Sequence, residues 1–320
     1  MTDLYKWQTN RPFNAYSNYM RKMFNGRVQK LSVDAGFTCP NRDGKLSKGG
    51  CTFCSNDAFN PSYCRKFESI TTQIEEGIKF HSWRYKKVQK YLVYFQPYSN
   101  TYAPLEVLKQ RYEEALSHEN VIGLVIGTRP DCVDNEKLDY LAELNEKYTI
   151  IIEYGIESCY DKTLQWINRG HTFDCTVKAL EESHKRKLRT GGHIIFGFPV
   201  ESREEMLQEA EILSSLPIDT LKFHQLQILD NTLMKEDYMK NKEKYNLFSF
   251  EEYMDFIINF LEKLNPDIVI ERFASEVPPH YNCGQFFKDK NGLAVRNEQI
   301  VQCIEEKMIC LNTYQGRLYK

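Results

Sequence analysis

No stretch of this 320-residue chain approaches the roughly 18 to 20 consecutive apolar residues that cross a bilayer. The opening MTDLYKWQTNRPFNAY is too polar for a secretory signal. Sequence repeats, low-complexity tracts and Pro- or Ser-rich linkers are also missing, which removes solenoids and strings of separately folded modules from consideration. Histidine is scarce, with 7 in the whole chain and none between positions 37 and 80. Only one C-x-x-C pair occurs among the 10 cysteines, and their irregular spacing suggests no disulfide framework. The expectation is a cytoplasmic protein with no membrane partner, whose cysteines serve as thiols or metal ligands.

What is present is ordinary in amount and uneven in placement. The 42% hydrophobic and 27% charged residues fit a globular chain with a large core, expected as one large domain with terminal additions. The formal net charge is −2, yet residues 1 to 100 carry 16 Lys or Arg against 7 Asp or Glu, a balance of +9 that leaves −11 for the remaining 220. Clustered cations gain by displacing counterions from phosphates, so a polyanionic partner is one reading. A solvated surface whose charges cancel in three dimensions is the other.

Short β-branched or aromatic runs recur, each followed by a stretch of helical spacing, as in parallel strands joined by crossover helices. Strands are expected at VQKLSVDAG (28–36), KYLVYFQPY (90–98), VIGLVIGT (121–128), YTIIIEYGIES (148–158), GGHIIFGFP (191–199) and DTLKFHQLQIL (219–229). Helices are expected over about 71–83, from Pro104 onward, and over 135–147, 173–188 and 202–215, where Ser202 with Glu205 fits a capping box. Beyond 230 come a charged connection, an amphipathic helix in SFEEYMDFIINFLEKL, a late strand DIVIERF and a terminal helix near 297–312. The expected fold is α/β, a partial or complete parallel (β/α) barrel. Residues 28–230 would form its core, 1–27 an N-terminal extension, and 231–320 a C-terminal α/β extension packed on the barrel.

Three cysteines crowd the loop after the first expected strand. The stretch FTCPNRDGKLSKGGCTFC (37–54) sets eleven residues between Cys39 and Cys51 and two between Cys51 and Cys54. In a parallel barrel that loop lies on the catalytic face. A structural zinc site closes with four Cys or His ligands, and Cys64 is the candidate for the fourth. Three thiolates on a four-iron, four-sulfur cluster instead leave one iron open to a small molecule, an arrangement suited to chemistry rather than scaffolding.

Seven ordered words, AGFTCPNRDG, GGCTFC, GTRPDC, EYGIES, RGHT, HIIFGFP and ERFASEVPP, together resemble the radical S-adenosylmethionine (SAM) superfamily. The long first gap, in place of C-x-x-x-C-x-x-C, is similar to that of the branch containing the Elongator catalytic subunit. Within it the words resemble the bacterial YtqA/YhcC-like family, over roughly residues 12 to 316. The resemblance implies a barrel of radical SAM type, a 4Fe-4S cluster on Cys39, Cys51 and Cys54, and S-adenosylmethionine chelated at the open iron. A reductive electron donor of flavodoxin or ferredoxin type would drive cleavage of a carbon–sulfur bond of SAM. The resulting 5′-deoxyadenosyl radical would take a hydrogen from substrate while the protein holds both cofactors in register and excludes water.

The same resemblance assigns roles. Gly49 and Gly50 permit close backbone approach, and Phe53 either shields the cluster or stacks on adenine. Glu153, Glu157 and Ser158 would contact the cofactor's ribose or methionine, the alternative being a helix start capped by Ser158. The Gly-Gly-Glu segment common after strand two is absent from YFQPYSNTYAP, where Gln96, Ser99 or Asn100 are the candidate substitutes. From the residues themselves, His224 and Gln225 either lie near adenine or substrate or serve a structural role, whereas His193 reads as a core histidine. Arg129 either faces substrate or SAM, or pairs with Asp131 to fix the loop. The other cysteines read as small buried hydrophobes.

Basic and aromatic residues interleave in FNAYSNYMRKMFNGRVQK, HSWRYKKVQKY and near HKRKLR, a combination suited to unstacked RNA bases and equally to an amphipathic helix. The function expected from the resemblance is modification of a tRNA wobble uridine, converting a carboxymethylaminomethyl group to aminomethyl in thiolated uridine. The competing readings are a radical SAM oxidoreductase for a small metabolite or peptide, and a zinc-stabilised binding protein without catalysis. Oxygen-free purification separates the last from the others: a brown protein with iron and sulfide is expected, and a colourless one with stoichiometric zinc would reject the cluster. Cys51→Ala should abolish iron incorporation.

Overall fold

A computed structural model describes residues 4–55, 59–82, 88, 90–284, 286–289 and 291–320. Its elements follow in chain order as α1 (Tyr16–Phe24), β1 (Gln29–Val33), α2 (Ile70–Ser82), β2 (Tyr91–Phe95), α3 (Leu105–Leu116), β3 (Val121–Thr128), α4 (Asn135–Asn145), β4 (Thr149–Glu157), α5 (Asp161–Trp166), α6 (Phe173–Lys185) and β5 (Arg189–Phe196). The chain continues through α7 (Arg203–Ser214), β6 (Thr220–Gln225), α8 (Leu233–Lys240), α9 (Phe250–Lys263), β7 (Val269–Arg272) and α10 (Asn297–Cys310). All the expected strands are present. The short helices α5 and α8 carry too few turns to leave a periodic signal. Expected residue Trp83 lies outside the described residues, as does most of HSWRYKKVQKY.

The seven strands form one sheet in the order β1-β2-β3-β4-β5-β6-β7, every neighbouring pair parallel. Local chemistry starts and stops the elements. Capping boxes at Ser202/Glu205 and Ser249/Glu252 open α7 and α9, and the Asp134 side chain accepts from Lys137 N to open α4. β1 stops at Val33 because the Gln73 side chain takes over the next backbone group, its Oε1 accepting from Asp34 N at 2.8 Å. β2 stops before Pro97, which has no N–H to give a ladder.

Alternate strand residues face two different environments. Leu31, Val33, Val93, Phe95, Leu124, Ile126, Ile150 and Ile152 are fully buried in the main core with Leu108, Leu138, Leu180, Met206 and Phe260 of the helices. Each such side chain contributes about 1.5–3 kcal/mol of burial. Their neighbours in sequence point inward. No ladder joins β7 to β1 among the described residues, but Lys30 of β1 reaches Glu271 of β7 at 2.7 Å and Glu153 of the central strand at 2.8 Å. The sheet is therefore curled into a half-barrel whose first and last strands meet through side chains.

The chain before β1 closes the N-terminal end of this half-barrel. Ala15 forms a parallel bridge with Ile270, and Ile270 N donates to Asn14 O at 2.8 Å. From there α1 lays Met20 against Leu92, Tyr94, Val125 and Ile151 inside the curl. The basic-aromatic stretch FNAYSNYMRKMFNGRVQK is thus a plug at the end opposite the strand C-termini. The stretch near HKRKLR leads into the start of β5 at that same end, where Lys185 and Arg186 pair with Glu182 and Arg186 also with Asp139. Neither lies at the barrel mouth, because their amphipathic pattern serves packing and ion pairing at the base.

Close strand approach sets one strict requirement. A Cβ built on Gly123 of β3 would lie 2.0 Å from the Thr149 carbonyl oxygen of the paired strand. Gly123→Ala is expected to lower unfolding free energy by about 1–3 kcal/mol or more in urea titrations. Gly26→Ala, whose Cβ would meet nothing nearer than 3.9 Å, should leave it within experimental error.

Candidate active site

The inner face of the half-barrel is stacked in levels from base to mouth. Above the apolar base sits a buried charged level. Glu153 is 1% exposed; its Oε1 accepts from Lys30 Nζ at 2.8 Å, and its Oε2 accepts from Lys222 Nζ at 2.5 Å and His193 Nε2 at 3.0 Å. Glu271 accepts from Lys30 at 2.7 Å and lies 3.1 Å from Lys222. Burial opposes ionisation of Glu153, but Lys222, Lys30 and His193 outweigh it and hold the carboxyl well below its ordinary range. Burial likewise pulls Lys30 down, yet Glu153 and Glu271 raise it well above the lysine range. Lys222 shares the same carboxylates and remains lowered, because its burial is only partly offset.

Two neutral imidazoles stand above this level. Burial first, then Arg272, holds His224 far below the ordinary imidazole range, and burial with Lys222 lowers His193. Arginine can only donate, so the 3.1 Å contact between Arg272 Nη2 and His224 Nε2 makes that nitrogen an acceptor and places the proton of His224 on Nδ1. His193 carries its proton on Nε2, facing the Glu153 carboxylate. The two rings stack with centroids 5.5 Å apart.

The cysteine loop forms one wall of the mouth. Gly50, at φ +87°, lets the loop turn beneath Arg42, whose Nη2 donates to Cys54 O at 2.8 Å; a Cβ on Gly50 would sit 3.0 Å from Arg42 Nε. Gly49 meets nothing within 4 Å, and its φ of +103° is what calls for glycine there. Cys51 is buried beneath donors: Arg169 Nη1 and Asn41 Nδ2 each lie 3.5 Å from its sulfur and Arg129 Nη1 4.0 Å. Both arginines are fixed from behind. Arg129 forms a two-point pair with Asp131 at 2.8 Å, and Arg169 reaches Gly155 O at 2.5 Å and Glu157 at 3.4 Å. Arg169 and Asn41 carry no sequence signal beyond the words RGHT and CPN, and only the folded contacts reveal them.

Cys39, Cys51 and Cys54 line a single cavity of about 420 Å³ together with Phe53, Gln96, Glu153, Glu157, His193, Lys222, His224 and Arg272. Burial, then the neighbouring sulfurs, pushes Cys54 up to about 11 despite Arg42, and burial raises Cys39. Thiols in that condition ionise against a metal. Among the described residues no three His, Cys, Asp or Glu side chains converge closely enough to share one metal ion. The donor set, three soft sulfurs spread along one wall with N–H groups aimed at one of them, fits an iron–sulfur cluster. Cys64, the fourth ligand that a zinc site needed, donates its thiol to Ser32 O at 2.9 Å and does not line the cavity.

Other expected site residues divide cleanly. Phe53 packs on Phe198 with centroids 6.0 Å apart, and Gln96 Oε1 accepts from Ser32 Oγ at 3.1 Å. Glu157 has left-handed φ of +68° beside a register shift in β4, a conformation that costs about 1–3 kcal/mol and turns its carboxylate into the cavity. Ser99 and Ser158 do not line it. Ser99 is fully buried, bonded to Thr128 Oγ1 at 2.9 Å under the cysteine loop, and Ser158 is fully buried with its hydroxyl donating to Glu201 at 2.5 Å. β4 ends at Glu157 in that left-handed turn, and Ser158 is directed outside the cavity. Asn100 is spent on the carbonyls of Phe95, Pro97 and Gly127.

The sequence profile of the Radical SAM superfamily matches residues 39–213, and that of the Radical_SAM C-terminal domain matches residues 218–305. The chain belongs to the radical SAM superfamily. Its cofactors are accordingly SAM and a four-iron, four-sulfur cluster. This radical SAM enzyme is 32% identical over 312 residues to the uncharacterised protein YtqA of Bacillus subtilis (strain 168), covering 98% of this chain and 94% of that one. It is 32% identical over 263 residues to YhcC of Escherichia coli (strain K12), covering 82% and 83%. A shorter match, 24% identical over 173 residues, covers 53% of this chain and 31% of the tRNA uridine(34) acetyltransferase of Methanocaldococcus jannaschii. The solved archaeal Elp3 of Methanocaldococcus infernus, lacking residues 1–46, shares the fold with a TM-score of 0.66 at 15% identity. That similarity covers 90% of this chain and 64% of the Elp3 chain, so this chain spans just under two thirds of it. No described helix is long and apolar enough to cross a membrane.

The two depressed histidines make stability sensitive to acid. Well above the ordinary imidazole pKa of about 6.5 they are neutral in folded and unfolded chains alike. As the pH falls below that value the unfolded chain gains protons that the folded site refuses, and stability drops by up to about 1.4 kcal/mol per pH unit for each histidine. His224→Gln removes one such site, so its urea midpoint should fall less between pH 7 and 5.5 than that of the wild type.

Proposed function

We propose that Cys39, Cys51 and Cys54 hold the cluster and that the cavity beside them modifies the wobble uridine of tRNA. When bound, cluster and SAM supply one-electron chemistry that ends in removal of a hydrogen atom from the substrate. The observation that carries the assignment is the single cavity that three sulfurs line together with Glu157, Gln96, His224 and Arg272. Arg129, Arg169 and Asn41 stabilise charge on Cys51, and Arg42 fixes the Cys54 turn. Glu157 and Gln96 would supply acceptors for the cofactor's hydroxyl and amino groups, while Phe53, backed by Phe198, would keep water from its apolar edge. Glu153 acts through Lys30, Lys222 and His193, since both its oxygens are already taken.

The nucleic-acid reading draws support from the mouth. Arg42 lies 5.9 Å from the Tyr98 ring, Lys45 5.3 Å from Tyr102 and Lys66 4.9 Å from Phe67, which is 89% exposed. Cation and aromatic pairs of this kind track phosphates and stack on unpaired bases. The partial match to a tRNA uridine(34) acetyltransferase supports the same substrate class. The reaction we assign converts carboxymethylaminomethyl to aminomethyl on thiolated uridine. That conversion is a two-electron oxidation of the methylene between nitrogen and carboxylate to a carbon–nitrogen double bond; bound SAM would supply the acceptor for one hydrogen atom and the bound cluster the acceptor for the second electron, with one proton lost from nitrogen. Water then adds across the resulting carbon–nitrogen double bond, and cleavage gives the amine and a two-carbon aldehyde acid.

Reconstituted enzyme given reductant, SAM and tRNA bearing the carboxymethylaminomethyl group is expected to yield the aminomethyl nucleoside by mass spectrometry. An unchanged nucleoside alongside active SAM cleavage would reject the substrate.

A further inference from the structure

Arg272 ends β7 and lines the cavity that the cysteine loop also lines, with His224, Gln225 and Ser275. Its partner among the described residues is a neutral imidazole, and its Nε–H is buried without an acceptor. No carboxylate among the described residues lies within 4.0 Å of it. The two nearest in the charged level are occupied, because Lys30 and Lys222 divide Glu153 and Glu271 between them. The charged level and Arg272 beside it thus count three cations, Lys30, Lys222 and Arg272, against two carboxylates, with both histidines neutral. Arg272 itself is half-buried, whereas the two fully buried arginines of the mouth have acidic partners, Arg129 with Asp131 and Arg169 with Glu157.

A buried donor without an acceptor is costly, and a cation without a counter-charge more so, unless a ligand supplies both. Guanidinium presents a rigid planar fork that matches a carboxylate in two points. His224 holds that fork in place from one side, and the pairing of Gln225 with the Ser275 backbone at 2.9 Å in both directions fixes the segment behind it. We infer that Arg272, steadied by His224, is a carboxylate subsite that grips the carboxymethyl group of the substrate. This rests on the wobble-uridine reading for the identity of its ligand. Gripping the carboxylate fixes the adjacent methylene, the carbon from which hydrogen is taken. It also explains turnover: the product amine has lost the anion and now carries a positive charge toward Arg272, which favours its release.

SAM carries a carboxylate too, and the test separates the two sources. With holoenzyme loaded with cluster and SAM, wild-type protein should bind tRNA bearing carboxymethylaminomethyl at least about 10-fold more tightly than tRNA bearing aminomethyl, the scale of a charge-assisted hydrogen bond. Arg272→Gln, with unchanged iron content as the check on folding, should bring that ratio close to one and leave SAM affinity within about twofold. A ratio retained in the variant overturns the inference. So does a tenfold loss of SAM affinity with the ratio intact, which would give the arginine to the cofactor. If wild-type protein shows no preference between the tRNAs, the wobble-uridine reading fails, and calorimetric titration with N-methylglycine decides the subsite by itself. Binding seen in wild type and lost in Arg272→Gln supports a carboxylate subsite; equal or absent binding in both overturns it.

Discussion

A buried exchange of charge closes this half-barrel where backbone hydrogen bonds do not. Lys30 on the first strand and Lys222 on the sixth share the carboxylates of Glu153 at the centre and Glu271 on the last strand. Removing a single member leaves an uncompensated charge in the interior, which costs far more than the net worth of an intact pair. The arrangement specifies curvature: four side chains from four strands meet only if the sheet bends by the amount that brings β1 to face β7. Every group at the mouth stands on strands whose relative tilt is fixed at this level.

The chemistry of the mouth follows from placing donors and acceptors on that frame. The Cys51 sulfur is surrounded by arginine and asparagine N–H groups held by Asp131, Gly155 and Glu157. On the opposite wall the imidazoles are kept neutral by burial and by the cations around them. The cavity is thus divided into a wall prepared for anionic sulfur and a wall prepared for a ligand that brings its own negative charge.

Much of this was legible in the chain, and what was not has a common cause. Continuous apolar runs such as VIGLVIGT and YTIIIEYGIES read directly as parallel strands because both their faces are covered. The thiols were legible because their spacing is sequential. Lys30 and Lys222 were not, since a polar residue alternating with apolar ones in QKLSV or TLKFHQ reads as a solvent-facing position. Inside an incomplete barrel the second face is polar and buried at once, and period-two alternation cannot tell that from exposure. Ser158 shows the converse. It follows Glu157 in the word EYGIES, but the strand ends at Glu157 in a left-handed turn, and Ser158 is directed to Glu201 outside the cavity. The basic-aromatic segment before β1 fits a nucleic-acid surface and an amphipathic packing helix alike, because both draw on the same residue types, and the fold uses it for packing.

A parallel sheet that stops after seven strands leaves the outer side of its last member with unpaired amide and carbonyl groups, an invitation to any extended peptide in the vicinity. Here the bridge from Ala15 to Ile270 covers one position of that edge with the segment before α1. At that position the border has no backbone group left to offer an incoming strand.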